Sequence, residues 1–165
     1  MQKQSFNRSF VISKETIDLL NEVPIFDKLG YNEIKILSRF MKPERYKAGE
    51  VLFHEGDKGD YVFFVVDGKL DVLKTSKTSD DVVIATIGKG RSIGEMTIVD
   101  DYPRSATVRT HTNVSLIILT RDNFEHILKE YPQIGIKVLK GLTRQVSLNL
   151  RKTSSRLAEY MFPLN

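Results

Sequence analysis

Residues 94–108 combine polar groups at a spacing that suits the binding of a small anion; their sequence is GEMTIVDDYPRSATV. Arg104 can bind a phosphate through a forked pair of charge-assisted hydrogen bonds, whereas a lysine would act only as a point charge. Gly94 lets the backbone approach a ligand closely, and the residues after it could form a short helical turn whose N-terminal amides favour an anion. Ser105 can add a hydroxyl donor. The segment therefore holds the groups that a small phosphate ligand, such as a cyclic phosphodiester of a sugar, would need.

Glu95 is the acidic member of this segment. It cannot itself face a phosphate, since like charges repel, so its carboxylate is predicted to accept a hydrogen bond from a sugar hydroxyl. Glu95 and Arg104 are also expected to neutralise one another partly when the site is empty. Single Glu–Arg pairs on loops are usually ordinary surface ion pairs. The prediction therefore depends on the combination: Gly-Glu, then eight residues, then an arginine followed by Ser-Ala-Thr-Val.

The rest of the composition disfavours other kinds of chemistry. The sequence has no cysteine, which excludes disulfides, thiolate metal sites and cysteine nucleophiles. The histidines, His54, His111 and His126, lie far apart and lack the paired spacing of metal ligands in a catalytic jelly roll. We therefore expect no enzymatic activity, no metal site and no cofactor. The sequence also lacks an apolar signal core at its N-terminus and any apolar run near the ~20 residues of a membrane span, which favours the cytoplasm.

Helical patterns flank the segment on both sides. Residues 1–14 are polar and predict a weakly ordered arm, and helices are predicted over 15–41, with a break at Pro24 and a second amphipathic helix over Asn32–Met41. After the sheet region the helical period returns over 121–160. A short helix over Arg121–Glu130 is followed by a longer one, which opens at Pro132 and runs to about Tyr160.

The last helix allows two interpretations. Heptad-like a and d positions are compatible with a homodimer through this helix, and the alternative is a helix packed on its own domain. Its basic residues could suit nucleic acid or an anionic membrane surface, although such a run is most often a solvated helix face. The heptad-like positions are Leu139, Leu142, Val146, Asn149, Thr153 and Tyr160. The basic residues are Lys137, Lys140, Arg144, Arg151, Lys152 and Arg156.

Residues 42–120 have the pattern of short strands. Apolar or alternating runs are separated by Gly and Asp, and Asp67-Gly68 between two such runs indicates a hairpin. Residues 74–81 are polar and predict an exposed hairpin loop. Short strands at regular spacing favour a sandwich or barrel over βαβ units. We see no internal repeat and no second domain.

The segment at 94–108 resembles the phosphate-binding cassette of cyclic-nucleotide-binding domains, which occur in bacterial catabolite activators, cyclic-nucleotide-dependent kinases and cyclic-nucleotide-gated channels. The resemblance extends from about Val23 to Arg156. It implies a mainly β fold with flanking helices: an antiparallel, jelly-roll-like β-roll (a double-stranded β-helix) with N-terminal helices and two C-terminal helices. The chain would then be a single domain over 15–165.

The resemblance also implies roles for individual residues. Arg104 corresponds to the arginine that binds the phosphate, and Glu95 to the glutamate that binds the ribose. Apolar positions against the base fall on Val72, Ile84 and Ile93, which the sequence alone would assign to the core. The implied ligand contacts in the segment are Gly94, Glu95, Met96, Arg104, Ser105 and Ala106.

The last helix would place Asn149, with Gln145 as a second choice, against the purine, because an amide can donate and accept along a base edge. The alternative is that Asn149 sets helix register across a dimer. Within the family, serine at position 105 occurs in bacterial adenine-type sensors, so cyclic AMP is the expected ligand, with cyclic GMP as the alternative.

We therefore expect a stand-alone sensor that relays ligand occupancy to an effector protein through movement of the last helix. The sequence ends where bacterial activators continue into a helix-turn-helix, so no DNA-binding domain is expected. The alternatives are a ligand-free structural or dimerisation adaptor, and a transcription-regulator-like protein that lacks its DNA-binding domain.

Overall fold

The computed structural model describes residues 14–75 and 81–161 of the chain. The arm predicted over 1–14 lies outside this part, apart from Lys14, which begins helix α1. The loop predicted over 74–81 also lies mostly outside it: 76–80 are not described, whereas Thr75 and Asp81 pair with each other as the ends of adjacent strands.

Short helical segments precede the sheets. They are α1 (Lys14–Asn21), a 3-10 turn at Pro24–Phe26, α2 (Tyr31–Leu37) and a second 3-10 turn at Ser38–Phe40. The predicted break at Pro24 is present. The predicted helix over Asn32–Met41 is too long, however, because α2 ends at Leu37 and Met41 is already the first residue of a strand, paired with Leu119.

Eight strands of the described residues form two antiparallel sheets of four strands each. The strands are β1 (Met41–Tyr46), β2 (Val51–Phe53), β3 (Tyr61–Asp67), β4 (Lys69–Thr75), β5 (Asp81–Gly88), β6 (Ser92–Ile93), β7 (Thr107–Thr110) and β8 (Val114–Thr120). The sheet orders are β1-β8-β3-β6 and β2-β7-β4-β5. A one-turn helix, α3 (Met96–Val99), lies between β6 and β7.

The chain passes repeatedly from one sheet to the other, as expected for a β-roll. The turn at Asp67-Gly68 is one such corner: β3 and β4 belong to different sheets, so the turn is not the simple hairpin that the local sequence predicts. Gly68 has a φ of +85°, and a β-carbon there would lie 2.3 Å from the carbonyl oxygen of Asn113, so only glycine fits this corner. The mainly β fold with flanking helices is confirmed.

Strand β3 explains how the core is divided. Phe63 and Val65 point into the roll between the sheets, whereas Val62, Phe64 and Val66 point to the opposite face, against the helices. Because successive side chains of a strand point to opposite faces, a strand buried on both sides needs a continuous apolar run, and YVFFVV supplies it. The roll thus carries a second core beneath its flanking helices.

The C-terminal helices are α4 (Arg121–Glu130) and α5 (Pro132–Met161). The first half of α5 packs on the domain through buried Ile134, Val138 and Leu142. A β-carbon at Gly141 would lie 2.2 Å from the carbonyl oxygen of Ile25, so the helix approaches the first 3-10 turn closely. Two ion pairs also join α5 to the N-terminal segment, Lys137–Glu33 at 2.7 Å and Arg144–Asp27 at 3.0 Å.

The second half of α5 is largely exposed. Leu142 is 2% exposed, but Val146 is 38% and Tyr160 is 91% exposed. Of the heptad-like positions, Leu142 thus packs on its own domain, whereas Val146 and Tyr160 face outward. No helix in the described ranges is both long enough and apolar enough to cross a membrane.

Candidate ligand-binding site

A cavity of about 580 Å³ lies between β6, α3 and the start of β7. The local motif thus forms one site, because all six residues predicted for this segment line the cavity. They are Gly94, Glu95, Met96, Arg104, Ser105 and Ala106. Other strands supply the remaining apolar wall, including Phe53 of β2 and Val72 of β4.

Arg104 is the central group of the cavity wall, and its side chain is only 3% exposed. The guanidinium carbon lies 4.1 Å from the ring centre of Phe53 and 4.5 Å from that of Tyr61, so two aromatic faces hold the cation. Nη1 donates to the carbonyl oxygen of Gly94 at 3.1 Å and to Thr97 Oγ1 at 2.9 Å, and Nη2 donates to the carbonyl oxygen of Tyr61 at 2.9 Å. Among the described residues, Nε is buried and has no hydrogen-bond partner.

The electrostatics of Arg104 favour an anion. Burial lowers the pKa of its guanidinium below the usual value, but an arginine remains charged at neutral pH. Its described hydrogen-bond partners are two carbonyl oxygens and a hydroxyl, none of which carries a full negative charge. Asp57 and Asp60 lie near enough to favour the charged guanidinium, but neither forms an ion pair with it among the described residues. A buried cation without a directly paired anion is unfavourable. An anionic ligand in the cavity would supply both the charge and an acceptor for Nε.

Gly94 forms the turn that makes room for this arginine. Its φ is +80°, and a β-carbon there would lie 2.1 Å from Arg104 Nη1. Gly59, from the loop before β3, approaches from another side, since its β-carbon would lie 2.7 Å from Nε. The sequence motif contained Gly94 but gave no sign of Gly59, because only the fold brings that loop to the cassette.

Glu95 lies in the same wall and is 8% exposed. Burial raises the pKa of its carboxyl above the ordinary value. Oε2 accepts from Ser92 Oγ at 3.3 Å. The expected mutual neutralisation with Arg104 does not take the form of an ion pair within the described residues. The physical reason is that two carbonyl oxygens and Thr97 Oγ1 already accept hydrogen bonds from Nη1 and Nη2 of Arg104.

Ser105 and Ala106 continue the wall into β7. Ser105 is exposed, and its hydroxyl has no protein partner in the described part of the chain, whereas Ala106 is 8% exposed. The backbone here is fixed to the turn after β2. Arg104 N donates to the carbonyl oxygen of Asp57 at 2.8 Å, and Gly56 N donates to that of Arg104 at 2.9 Å. The hydroxyl of Ser105 is therefore held at the cavity by a fixed main chain.

A second chamber, also of about 580 Å³, adjoins the first between β4, β5 and the second half of α5. Val72, Ile93, Glu95 and Ser105 line both chambers, so the two are direct neighbours. Asn149 lines the second chamber, and its Oδ1 accepts a hydrogen bond from Arg91 Nη2. Two of the three apolar residues predicted to contact the base, Val72 and Ile93, thus line this chamber together with Asn149, whose amide was also predicted to contact the base.

Ile84 is the exception among the predicted residues. It lines neither chamber and is 51% exposed. The ladder between β4 and β5 shifts at this point: Val72 pairs with Ala85, but Leu73 pairs with Val83, so Ile84 is the extra residue of a β-bulge. A shift of one residue in the strand pairing turns a side chain to the other face of the sheet, and the local sequence does not predict such a shift.

Gln145, the second choice for a base contact, instead binds the strand beside the site. It is 6% exposed, and its amide makes three hydrogen bonds with Ser92. The sequence did not reveal this role, nor the parts played by Phe53, Tyr61 and Thr97. Among the described residues, no three His, Asp or Glu side chains form a group that could hold a metal ion.

Comparison with known proteins agrees with this geometry. A family model described as the cyclic nucleotide-binding domain matches residues 43–131. The chain is 26% identical over 145 residues to the CRP-like cAMP-activated global transcriptional regulator of Mycobacterium tuberculosis, which covers 88% of this chain and 63% of the regulator. It is 33% identical over 140 residues to a cyclic nucleotide-gated potassium channel of Rhizobium etli, covering 85% of this chain and 36% of the channel.

Among solved structures, a cyclic nucleotide-binding domain from Methylobacillus flagellatus matches with a TM-score of 0.80 and 27% identity, over 91% of this chain and 84% of that one. The chain spans no more than 63% of the length of the two curated relatives named above. The matched region contains the whole cassette with Gly94, Glu95 and Arg104, and it covers more than half of the chain. The chain therefore belongs to the cyclic nucleotide-binding domain family.

Proposed function

We propose that this chain is a non-catalytic sensor module of the cytoplasm that binds cyclic AMP, with cyclic GMP as the alternative ligand, and relays occupancy through α5 to a partner protein. The observation that carries the proposal is the state of Arg104. A guanidinium that is 3% exposed borders a cavity, and its Nε has no partner among the described residues. A cyclic phosphate would supply a negative charge to the guanidinium and a hydrogen-bond acceptor to Nε.

The contacts that we propose for the ligand divide between the two chambers. Arg104 binds the phosphate together with Ser105, whose exposed hydroxyl can donate to it. Glu95 accepts from a ribose hydroxyl, which would compensate a buried carboxylate that has only Ser92 Oγ as a described side-chain partner. The base would lie in the second chamber, against Val72 and Ile93. The preference for cyclic AMP rests on Ser105 and on the likeness to a cAMP-activated regulator.

Two connections support a relay from the site to the C-terminal helices. The first is Arg121, the first residue of α4. Its Nη2 donates to the carbonyl oxygen of Asp100 at 2.6 Å and also to that of Thr97, at the C-terminal end of α3. A cation at this end of a helix satisfies carbonyl groups that have no partner within the helix. Any shift of α3 on ligand binding would therefore pull on α4.

The second connection is the pair Ser92 and Gln145. Ser92 Oγ donates to Glu95 and accepts from Gln145, so one hydroxyl joins the proposed ribose carboxylate to α5. Tyr131, between α4 and α5, is the residue at which the two helices could change their angle. A ligand shifts such an equilibrium only by its differential affinity for the two arrangements. We propose that this difference in affinity comes from a rearrangement of the hydrogen bonds around Glu95 and α3.

The proposed partners are an effector protein and a second copy of the chain. The exposed side of α5 includes Leu150 at 66%, Leu157 at 59% and Met161 at 64% exposure, and the heptad-like positions Val146 and Tyr160 are exposed as well. A homodimer through this half of α5 would bury that apolar surface. Sedimentation with and without nucleotide measures whether the module associates and whether the ligand changes its association.

Calorimetric titration with cyclic AMP and then cyclic GMP tests the function. We expect saturable binding in the micromolar range or tighter for one of them. Arg104→Ala should abolish most of this affinity, and Arg45→Ala, an exposed arginine on β1, serves as the control. The buried acceptors of Arg104 would lose their donor, so the variant's fold is checked by circular dichroism. No heat from either nucleotide with folded wild-type protein would point instead to a ligand-free adaptor.

A further inference from the structure

The second chamber carries more positive charge than a neutral base requires. Arg91, Lys152 and Arg156 line it, and Glu95 is the only acidic residue among the described residues that line it. In the described part of the chain, none of the three cations forms an ion pair with a carboxylate. Three positive charges thus gather around a space that the proposed function assigns to an uncharged purine.

A cyclic mononucleotide does not account for these charges. Its one negative charge lies on the cyclic phosphate, which the proposed function assigns to Arg104 in the first chamber. A purine can stack on a guanidinium, but it has no negative charge to pair with Arg91, Lys152 and Arg156. The chemistry that suits this surface is a second anionic group, on a ligand that reaches through both chambers.

We propose that the two chambers together bind a cyclic dinucleotide, with one phosphodiester on Arg104 and the other between Arg91, Lys152 and Arg156. This inference rests on the proposed function, because the first phosphodiester uses the same cassette. The chambers are adjacent, share four lining residues and each measure about 580 Å³. Each alone lies in the ~300–1,000 Å³ range of sites that hold ligands of drug size. There is accordingly room for one nucleotide unit in each.

The three cations approach the second chamber from two sides. Lys152 and Arg156 are four residues apart in α5 and share a helix face. Arg91 comes from the turn between β5 and β6 and is held in place by the hydrogen bond from its Nη2 to Asn149. The two arginines can each offer a planar fork to a phosphate, and the lysine adds a point charge. The second phosphodiester would be clamped between the sheet and α5, which ties this ligand directly to the helix.

Equilibrium dialysis of the full chain tests the inference with cyclic di-AMP, cyclic di-GMP, cyclic AMP and cyclic GMP as probes. The test variant is Lys152→Gln/Arg156→Gln. The control is Lys140→Gln/Arg151→Gln, which removes the same charge from exposed positions of α5 that line neither chamber. We expect the wild type to bind a dinucleotide and the test variant to lose about tenfold or more in that affinity, as the loss of charge-assisted bonds implies. Binding of the mononucleotide should change little, and a dinucleotide should compete with it for Arg104.

The possible results distinguish a failure of this inference from a failure of the proposed function. Binding of cyclic AMP or cyclic GMP without any binding of a dinucleotide overturns the inference alone. An equal loss of dinucleotide affinity in the control variant also overturns it, since the attraction would then be general to the charge of α5. If folded protein binds none of the four nucleotides, both proposals fail.

Discussion

Gln145 of α5 binds both the main chain and the side chain of Ser92 in β6. Its amide oxygen accepts from Ser92 N at 3.3 Å, and its amide nitrogen donates to the carbonyl oxygen at 3.2 Å and to Oγ at 2.5 Å. Both side chains are buried, and Ser92 Oγ also reaches Glu95. The long helix is thereby attached to the strand that leads into the cassette.

Replacement of Gln145 by alanine should uncouple α5 from the site. Its buried partners would lose their hydrogen bonds, so we expect the free energy of unfolding to fall by about 1–3 kcal/mol. Nucleotide affinity should change only a few-fold, because Gln145 lines neither chamber. Hydrogen–deuterium exchange over α5, with and without cyclic AMP, should show a reduced ligand response. Gln133→Ala, at an exposed position of the same helix, is the control; a full response in Gln145→Ala would contradict the relay.

Gly94→Ala should damage the site through a steric effect on Arg104. The new β-carbon would lie 2.1 Å from Nη1 of that arginine, so the guanidinium must move. We expect a loss of nucleotide affinity of at least about tenfold. Gly49→Ala is a matched control, since Gly49 has a φ of +87° against +80° at Gly94, but a β-carbon at Gly49 would meet no atom within 4 Å. Backbone strain should be similar in both variants, whereas the affinity should fall only at Gly94, as measured by calorimetry.

The burial of Glu95 predicts a pH dependence of stability. Its pKa is raised above the ordinary value of 4.5, mainly because burial penalises the charged form. The folded state therefore holds this proton more tightly than the unfolded state, and stability falls as the pH rises from 4.5 through the folded-state pKa. Urea unfolding of wild type and Glu95→Gln at several pH values isolates the effect. Relative to the variant, the wild type should lose stability as the pH rises; a constant difference would contradict the assignment.

The parts of the molecule that local sequence specifies were predicted, and those that depend on distant pairing were not. The run YVFFVV and the spacing of Gly94, Glu95 and Arg104 are local, so the roll and the cassette could be inferred. The end of α2 depends on the pairing of Met41 with Leu119, and the position of Ile84 depends on a bulge. Both require knowledge of which strands become neighbours.

The same limit applies to the surroundings of the buried arginine. Phe53, Tyr61 and Thr97 hold the guanidinium, yet the first two come from other strands and look like ordinary core residues in the sequence. Aromatic residues in short apolar runs are usually read as core, and here they also contact a cation. A local motif can therefore identify the group that would bind the ligand, but the shell that orients this group is visible only in the fold.

Arg121 offers the sharpest test of a relay from the cassette to the C-terminal helices. Its Nη2 donates to carbonyl oxygens of Thr97 and Asp100, and its Nη1 pairs with Asp101, whose side chain is 96% exposed. Arg121→Gln should weaken the tie between α3 and α4. A charge near a helix end contributes about 0.3–1 kcal/mol, so nucleotide affinity should fall by less than about tenfold. The exchange response of residues 146–161 to cyclic AMP should fall much further.

Asp101→Asn separates the two roles of Arg121. It removes only the exposed ion pair and leaves the bonds to the carbonyl oxygens of α3 in place, so this variant should respond like the wild type, because exposed ion pairs contribute little. If Asp101→Asn instead loses the response as completely as Arg121→Gln, the surface ion pair rather than the contact with α3 would carry the signal. If neither variant changes the response, the coupling would have to run through Ser92 and Gln145 alone, and the double variant Arg121→Gln/Gln145→Ala would then behave like Gln145→Ala.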